Sequence, residues 1–161
     1  MTTTLIPIEA SRFAQYRDAL VRSYAEENVA AGRWPEEDAM ERSAIDFATS
    51  WPQGLATPDN FLYEIHATAN QAGASSCVGH LWFAVVTKNG VRGGYVYDLE
   101  VLPEFRRQGH AERAFAALEP IAEKLGLASI GLHVFAHNPG AQALYAKLGY
   151  KVTGLNMVKH L

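Results

Sequence analysis

The sequence has a single cysteine, no excess of positive charge and no long hydrophobic run, and each lack excludes a class of protein. The lone Cys77 excludes an intramolecular disulfide and a cysteine-based zinc site, and it is typical of a protein from a reducing cytoplasm. The formal net charge is −3, from 14 Lys and Arg against 17 Asp and Glu, so we expect neither a nucleic acid nor a membrane surface as partner. No apolar run approaches the ~18 residues that span a bilayer. The first residues, MTTTLIPIEASRF, lack the cationic start of a secretory signal.

What remains is the composition of a soluble globular domain. Of the 161 residues, 48% are hydrophobic and 19% are charged. Because no internal repeat, low-complexity tract or Pro/Gly/Ser linker divides the chain, we expect a single domain over residues 1–161.

The first half of the chain predicts a strand, two helices and an antiparallel meander. Apolar residues recur at helical spacing before Gly32, and from Asn60 onward they alternate with polar residues as in half-buried strands. Asn89-Gly90 favours a tight hairpin turn within that meander. The predicted elements are a strand at 4–8, helices at about 11–31 and 36–50, and strands at 60–68, 77–86 and 95–101.

The second half predicts a helix, a strand, a further helix and a closing strand. Helical spacing returns at 109–125 and a strand follows at 129–135, while Asn138-Pro139 starts a helix that Gly149 ends. The final YKVTGLNMVKHL predicts a closing strand or a bent pair of strands. A strand, helix and strand in succession normally pair in parallel through a right-handed crossover. The fold class is therefore α/β with a mixed sheet, in the order β-α-α-β-β-β-α-β-α-β.

The segment PEFRRQGHAE, residues 103–112, is the candidate ligand-binding loop of the sequence. Ligands bind at the carboxyl ends of parallel strands, and Gly109 stands there at the first turn of a helix, where glycine lets the backbone approach a ligand. The exposed N–H groups and the helix dipole form an anion site suited to a pyrophosphate. Arg106, Arg107 and His110 add positive character. Taken alone, the same pattern also fits an ordinary solvated helix N-terminus.

Two motifs stand on either side of this helix and the strand after it. The first, Arg106-x-x-Gly109-x-Ala111, follows a strand and opens an amphipathic helix. The second, NPGAQALYAKLGY, runs from Asn138 to Tyr150. Together they resemble the paired motifs of the GNAT superfamily of N-acetyltransferases, and the order of elements resembles that superfamily over the whole chain.

The resemblance implies acetyl-CoA as co-substrate and no metal. It implies that backbone N–H groups of residues 107–112 hold the pyrophosphate and that the edge of 99–101 pairs with the pantetheine arm as an added strand. The strands at 95–101 and 129–135 should then diverge at their carboxyl ends. Glu112 replaces a small or basic residue usual in the superfamily, and we expect its carboxylate to point away. The cofactor-binding residues expected on this basis are Leu99, Glu100, Val101, Arg106, Arg107, Gln108, Gly109, His110, Ala111, Glu112, Asn138 and Tyr145.

The resemblance further implies direct attack of a primary amine within a ternary complex. Tyr145 matches the tyrosine that protonates the leaving thiolate, and Asn138 matches a position that bonds the cofactor while also suiting a helix N-cap. His133 stands where several members that modify ribosomal-protein N-termini carry glutamate, and an imidazole suits general-base work at neutral pH. Glu100 is the competing base. Each of these residues also has a purely structural explanation. Tyr145 could be an aromatic residue of the core, and His133 and Glu100 could be ordinary strand residues.

The acceptor pocket is expected at the junction of the first two helices. Tyr24, Glu27 and Trp34 lie there, and carboxylates would attract a cationic amine, although a solvated helix end with a core tryptophan fits the same residues. The sequence does not decide whether the acceptor is a small-molecule amine or a peptide amine. The alternative function is a non-catalytic CoA-binding sensor domain. The superfamily often dimerises, so a homodimer is a further expectation.

Overall fold

The computed structural model describes residues 2–68, 75–159 and 161, and within them a mixed sheet carries helices on both faces. The strands are β1 (Thr2–Pro7), β2 (Asn60–Thr68), β3 (Ser75–Lys88), β4 (Val91–Val101) and β5 (Ile130–Leu132). The helices are α1 (Ala10–Ala30), α2 (Ala39–Ser50), α3 (His110–Lys124) and α4 (Pro139–Lys147). Short 3-10 turns occupy Glu36–Asp38, Gly54–Ala56 and Pro103–Phe105.

The strands lie in the order β1-β2-β3-β4-β5, with antiparallel pairing from β1 to β4 and parallel pairing of β5 on β4. Lys88 pairs with Val91 across a two-residue turn in which Asn89 (φ 52°) and Gly90 (φ 77°) are both left-handed, as a tight hairpin requires. The predicted meander and its turn are confirmed. The α/β fold class with a mixed sheet is confirmed as well.

Alternation along the strands divides the core into two layers. Leu81 and Phe83 of β3 point to the α3 face, where they pack with Phe115 and Leu118, while Trp82 between them points to the opposite face. On that opposite face, α1 and α2 cover the sheet with an aromatic layer made of Tyr16, Phe47, Trp51 and Trp82. Truncating a ring buried in this way costs about 3–5 kcal/mol, so both layers are structural.

The closing strand predicted from YKVTGLNMVKHL does not form in the part of that segment which the structure describes. Residues 151–159 have no regular structure, and the side chains of Val152, Leu155 and Met157 are exposed. A strand requires a partner with matching length, and β5, at the edge of the sheet, offers three residues where seven were predicted. The order of elements therefore ends at α4 in this structure.

Among the described residues, no helix is both long and apolar enough to cross a membrane.

Candidate functional site

A gap opens where β4 and β5 part. Parallel pairing runs from Gly94 opposite Ile130 to Val96 opposite Leu132. Beyond that point β4 continues to Val101, whereas β5 has already ended. Pairing of the two strands therefore stops after Val96 because β5 ends there, and within the described part of the chain no strand pairs with residues 97–101 on that side.

The loop after β4 bends its backbone toward this opening. Gly109 is the N-cap of α3 with φ 78°, and Arg107 has φ 62°, so two residues of the loop are left-handed. A Cβ added to Gly109 would lie 2.8 Å from Nη1 of Arg113. The N–H groups of the first turn of α3 have no intrahelical acceptors, so this end of the helix presents donors that suit an anion.

Together these elements line the main cleft, a cavity of about 980 Å³. A volume of that order is suited to a large cofactor. Of the residues predicted to bind one, only Gln108 is not in the lining; its amide donates to the carbonyl of Glu104 at 3.3 Å. The predicted residues that do line it are Leu99, Glu100, Val101, Arg106, Arg107, Gly109, His110, Ala111, Glu112, Asn138 and Tyr145.

The charges at the cleft differ from expectation in two places. His110 is buried, and burial followed by the charge of Arg113 lowers the pKa of its imidazole, so at neutral pH this ring does not add to the positive character predicted for Arg106 and Arg107. Glu112 lines the cleft instead of pointing away, and Lys147 of α4 holds its carboxylate at 2.7 Å. The side chain of Arg106 turns back to donate to the carbonyl of Val101 at 2.9 Å.

Tyr145 reaches the cleft from α4. Its ring packs edge-on against Phe115 with centroids 5.6 Å apart. Burial, followed by the charge of Asp98, raises the pKa of the phenol, so the hydroxyl stays protonated at neutral pH and can donate. Asn138 also lines the cleft, and its side chain accepts from the N–H of Ala141 at 3.1 Å, which makes it the N-cap of α4.

One titratable group of the cleft that sequence reasoning missed is Asp98 of β4. It lies at the floor of the main cleft, and the hydroxyl of Tyr16 donates to its Oδ2 at 3.3 Å. Burial, with a smaller contribution from Glu100, raises the pKa of this carboxyl from 3.8 to about 7. An aspartate inside the apolar run YVYDLEV was the available signal, because a carboxylate in a strand core is rare without a role.

The two predicted bases are placed differently. Glu100 lines the main cleft. His133 is exposed and is not among the lining residues; its Nε2 lies 3.5 Å from Nη2 of Arg33. Partial desolvation, followed by the charge of Arg33, lowers the pKa of this imidazole. The structure thus brings Glu100 to the cleft with Asp98, and it does not bring His133 there.

A second cavity of about 300 Å³, called here the side pocket, lies between α1, α2 and the sheet. Tyr24 and Glu27, two of the residues predicted to bind the acceptor, line it. Burial raises the pKa of the Glu27 carboxyl. Trp34 lines neither cavity and packs edge-on against Tyr24 with centroids 5.3 Å apart, so it supports the pocket from behind.

Away from the side pocket, β2 and β3 bring together three groups of the kind that bind metals. One ligand atom from each of Glu64, His66 and Cys77 lies within 4.8 Å of the others. The Glu64 carboxylate already has two partners, Arg12 at 2.7 Å and His66 at 2.8 Å. The sequence analysis predicted no metal site. Cys77 comes close to His66 only through the pairing of β2 with β3, which the sequence spacing alone does not reveal.

The chain is similar in sequence to N-acetyltransferases. It matches the acetyltransferase (GNAT) family over residues 18–150. It is 34% identical over 161 residues to the uncharacterized N-acetyltransferase YycN of Bacillus subtilis (strain 168), covering 100% of each chain. It is 30% identical over 161 residues to the uncharacterized N-acetyltransferase YdgE of the same strain, covering 100% of this chain and 99% of YdgE.

Solved structures agree in fold. The crystal structure of YycN superposes with a TM-score of 0.88 at 34% identity, covering 99% of both chains. A structure of AAC(6')-Iy in complex with the bisubstrate analogue CoA-S-monomethyl-acetylneamine superposes with a TM-score of 0.61 at 15% identity, covering 100% of this chain and 99% of that one.

Proposed function

The chain belongs to the acetyltransferase (GNAT) family, and from that premise we propose that it moves the acetyl group of acetyl-CoA to a primary amine by direct attack in a ternary complex. Its homologues are N-acetyltransferases, and the chain is an enzyme of that class. We propose acetyl-CoA as the acetyl donor and a primary amine as the acceptor.

One observation carries the proposal: a glycine-based helix start, an open strand edge and a protonated tyrosine meet in a single cleft. The left-handed Gly109 leaves the first N–H groups of α3 accessible to a diphosphate. The unpaired edge of 97–101 offers backbone groups to an extended amide chain. The structural neighbour AAC(6')-Iy binds a CoA-based bisubstrate analogue, which is consistent with the same cofactor here.

Acetyl-CoA, when bound, would supply a thioester that an uncharged amine can attack. Arg107 and the N–H groups of the α3 start would hold its phosphates, and the ion pair with Lys147 keeps the Glu112 carboxylate from opposing them. The edge of 99–101 would position the acyl end.

Two side chains of the cleft suit the proton transfers. Asp98, with its pKa raised to about 7, is poised to accept a proton from the ammonium at neutral pH. The protonated Tyr145 is poised to donate to the departing sulfur. Glu100, at the same cleft, is the second candidate for the base.

The first experiment measures acetyl-CoA binding by thermal shift and amine-dependent release of the free thiol. At about 100 times the Kd, acetyl-CoA should stabilise the fold by about 2.7 kcal/mol. No shift at millimolar acetyl-CoA would reject the proposal. Binding without any amine-dependent thiol release, across amino acids, polyamines, aminoglycosides and peptides, would support a CoA-sensing domain instead.

The second experiment tests the tyrosine. Tyr145→Phe should lower kcat about 100-fold and leave the Kd for acetyl-CoA nearly unchanged, because only the proton donor is removed. Tyr150→Phe is the matched control, since Tyr150 packs on the same Phe115 ring and does not line the main cleft. Equal kcat in the two variants would remove Tyr145 from the proposed role.

The third experiment assigns the base through pH–rate profiles of Asp98→Asn, Glu100→Gln and His133→Ala. Removing the true base should abolish the acidic limb of the kcat/KM profile. We expect that result for Asp98→Asn and a retained limb for His133→Ala. A limb that persists in all three variants would refute every one of these assignments.

A further inference from the structure

The side pocket opens into the reacting end of the main cleft. The two cavities share Leu20, Ser23, Glu27 and Asp98 as lining residues. A molecule held in the side pocket therefore presents one end to the proposed base. The inference drawn from this pocket rests on the proposed function and adds the chemical class of the acceptor.

A bulge in β4 creates the wall of this pocket. Trp82 pairs with Asp98 and Phe83 pairs with Val96, so Tyr97 is an extra residue on β4. Val96 lies in the core on the α3 face. The bulge leaves the next two side chains both on the opposite face: Tyr97 stacks on Trp82 at 4.4 Å with an interplanar angle of 24°, and Asp98 accepts from the Tyr16 hydroxyl. A ring and a carboxylate are thereby set side by side.

The two cavities differ in charge. The main cleft is lined by the basic residues Arg12, Arg106, Arg107 and Lys147 and by the acidic residues Glu27, Asp98, Glu100 and Glu112, so it holds charges of both signs. The lining residues of the side pocket that the structure describes include no Lys, Arg or His, and they include the carboxylates Glu27, Asp46 and Asp98. A pocket lined by carboxylates and by no basic side chain favours a cation, whereas the basic side chains available to an anion lie in the main cleft.

Four aromatic residues also line the side pocket. Phe47 lies 5.8 Å from Tyr24 and 5.6 Å from Trp82, ring centroid to ring centroid, and Tyr97 completes the set. Tyr97 is 50% exposed although its ring is large and flat, so burial in the core does not explain its position. Aromatic faces pack against flat rings and attract cations.

We infer that the acceptor is an arylalkylamine, a primary ammonium joined by a short chain to a flat apolar ring. Its ammonium would lie between Asp98 and Glu27, and its ring would pack against Tyr97 and Trp82. A cavity of about 300 Å³ lies at the lower end of ligand-pocket volumes, so it fits one ring system with a short chain and not an oligosaccharide.

The test compares acceptors that differ only in the ring. Thiol release with saturating acetyl-CoA gives kcat/KM for 2-phenylethylamine and for ethylamine. We expect a preference of about 100-fold for 2-phenylethylamine in the wild type, because burying a phenyl group contributes on the order of 2–3 kcal/mol. Butane-1,4-diamine, an aminoglycoside and a peptide with a free N-terminus complete the panel.

Variants of Tyr97 then locate the ring. Tyr97→Ala should reduce the preference for 2-phenylethylamine over ethylamine at least tenfold, and Tyr97→Phe should retain it because the aromatic face remains. Ile45→Ala, on the exposed face of α2 and outside both cavities, is the control and should match the wild type in every assay. Each variant is checked for an unchanged melting temperature and an unchanged Kd for acetyl-CoA.

The outcomes separate the two proposals. If acetyl-CoA does not bind or no amine is acetylated, the proposed function fails. If ethylamine, the diamine, the aminoglycoside or the peptide equals or exceeds 2-phenylethylamine in kcat/KM, the acetyltransferase stands and the arylalkylamine inference is overturned. A preference that survives Tyr97→Ala unchanged also overturns it.

Discussion

Replacing Asp98 with asparagine should stabilise the fold more at alkaline than at acidic pH. The pKa of this carboxyl is raised in the folded protein from 3.8 to about 7, mainly because it is buried. Between those two values the folded state holds a proton that the unfolded state has released. The wild type is therefore most stable, as far as this group is concerned, below the unfolded pKa, and it loses that stability as pH rises to about 7.

The size of the effect follows from the shift. A difference of one bound proton changes the free energy of unfolding by 1.36 kcal/mol per pH unit. From pH 5 to pH 8 the wild type should lose about 2–3 kcal/mol through Asp98 alone. Asparagine does not titrate and can still accept from the Tyr16 hydroxyl, so Asp98→Asn should gain that amount over the wild type across the same interval.

Urea denaturation of both proteins at pH 5, 6, 7 and 8 measures this difference. Other groups that titrate in both proteins cancel when the two free energies are subtracted at each pH. Asp46→Asn is the control, because this exposed carboxylate lines the same side pocket, and we expect its effect to stay within about 0.5 kcal/mol at every pH. A wild-type minus Asp98→Asn difference that is equal at pH 5 and pH 8 would refute the raised pKa and with it the proposed base.

The remaining predictions concern the end of the main cleft where we propose that the phosphates bind. Gly109→Ala should cost about 1–2 kcal/mol of stability, because alanine is strained at φ 78°, and should weaken acetyl-CoA about tenfold by calorimetry. Gly126→Ala has the same strain at φ 71° with no atom within 4 Å of its Cβ, so it should destabilise the fold without changing that affinity. An equal loss of affinity in Gly126→Ala would contradict the proposed binding of phosphates at the start of α3. Lys147→Ala should change stability by less than about 0.5 kcal/mol and raise the Kd for acetyl-CoA several-fold, since it leaves the Glu112 carboxylate unpaired. Adding Glu112→Gln should restore part of the affinity, because the Lys147 cation stays absent, and a double variant as weak as Lys147→Ala would show that the Glu112 charge is not the cause.

The hydrophobic periodicity of the sequence predicted those strands and helices that bury one face and expose the other. The meander could be predicted because its alternation and the Asn89-Gly90 turn are both encoded within a few neighbouring residues. The same holds for the start of α3 at Gly109 and the cap of α4 at Asn138. The last predicted strand failed because a strand depends on a distant partner, and β5 is only three residues long.

The candidate site was predictable in part. Motif spacing identified some of the residues that line the main cleft, since loops after neighbouring parallel strands meet at one edge of a sheet. The same spacing also singled out His133, which lies beside Arg33 outside the cleft. Motif spacing gives the position of His133 along the chain but does not show where the strand before it ends. Because β5 ends at Leu132, His133 is not part of the strand.

The sequence by itself determined the two helix starts, the hairpin register and the glycine-containing loop before α3, because each depends on the conformational preferences of adjacent residues. Only the tertiary structure decided that Asp98 and Tyr97 face the same pocket. Strict alternation along YVYDLEV would place these neighbours on opposite faces, and the bulge opposite Trp82 cancels that alternation. A bulge is set by how two strands pair across a sheet, so the raised pKa of Asp98 and the aromatic wall beside it arise only when β3 and β4 come together.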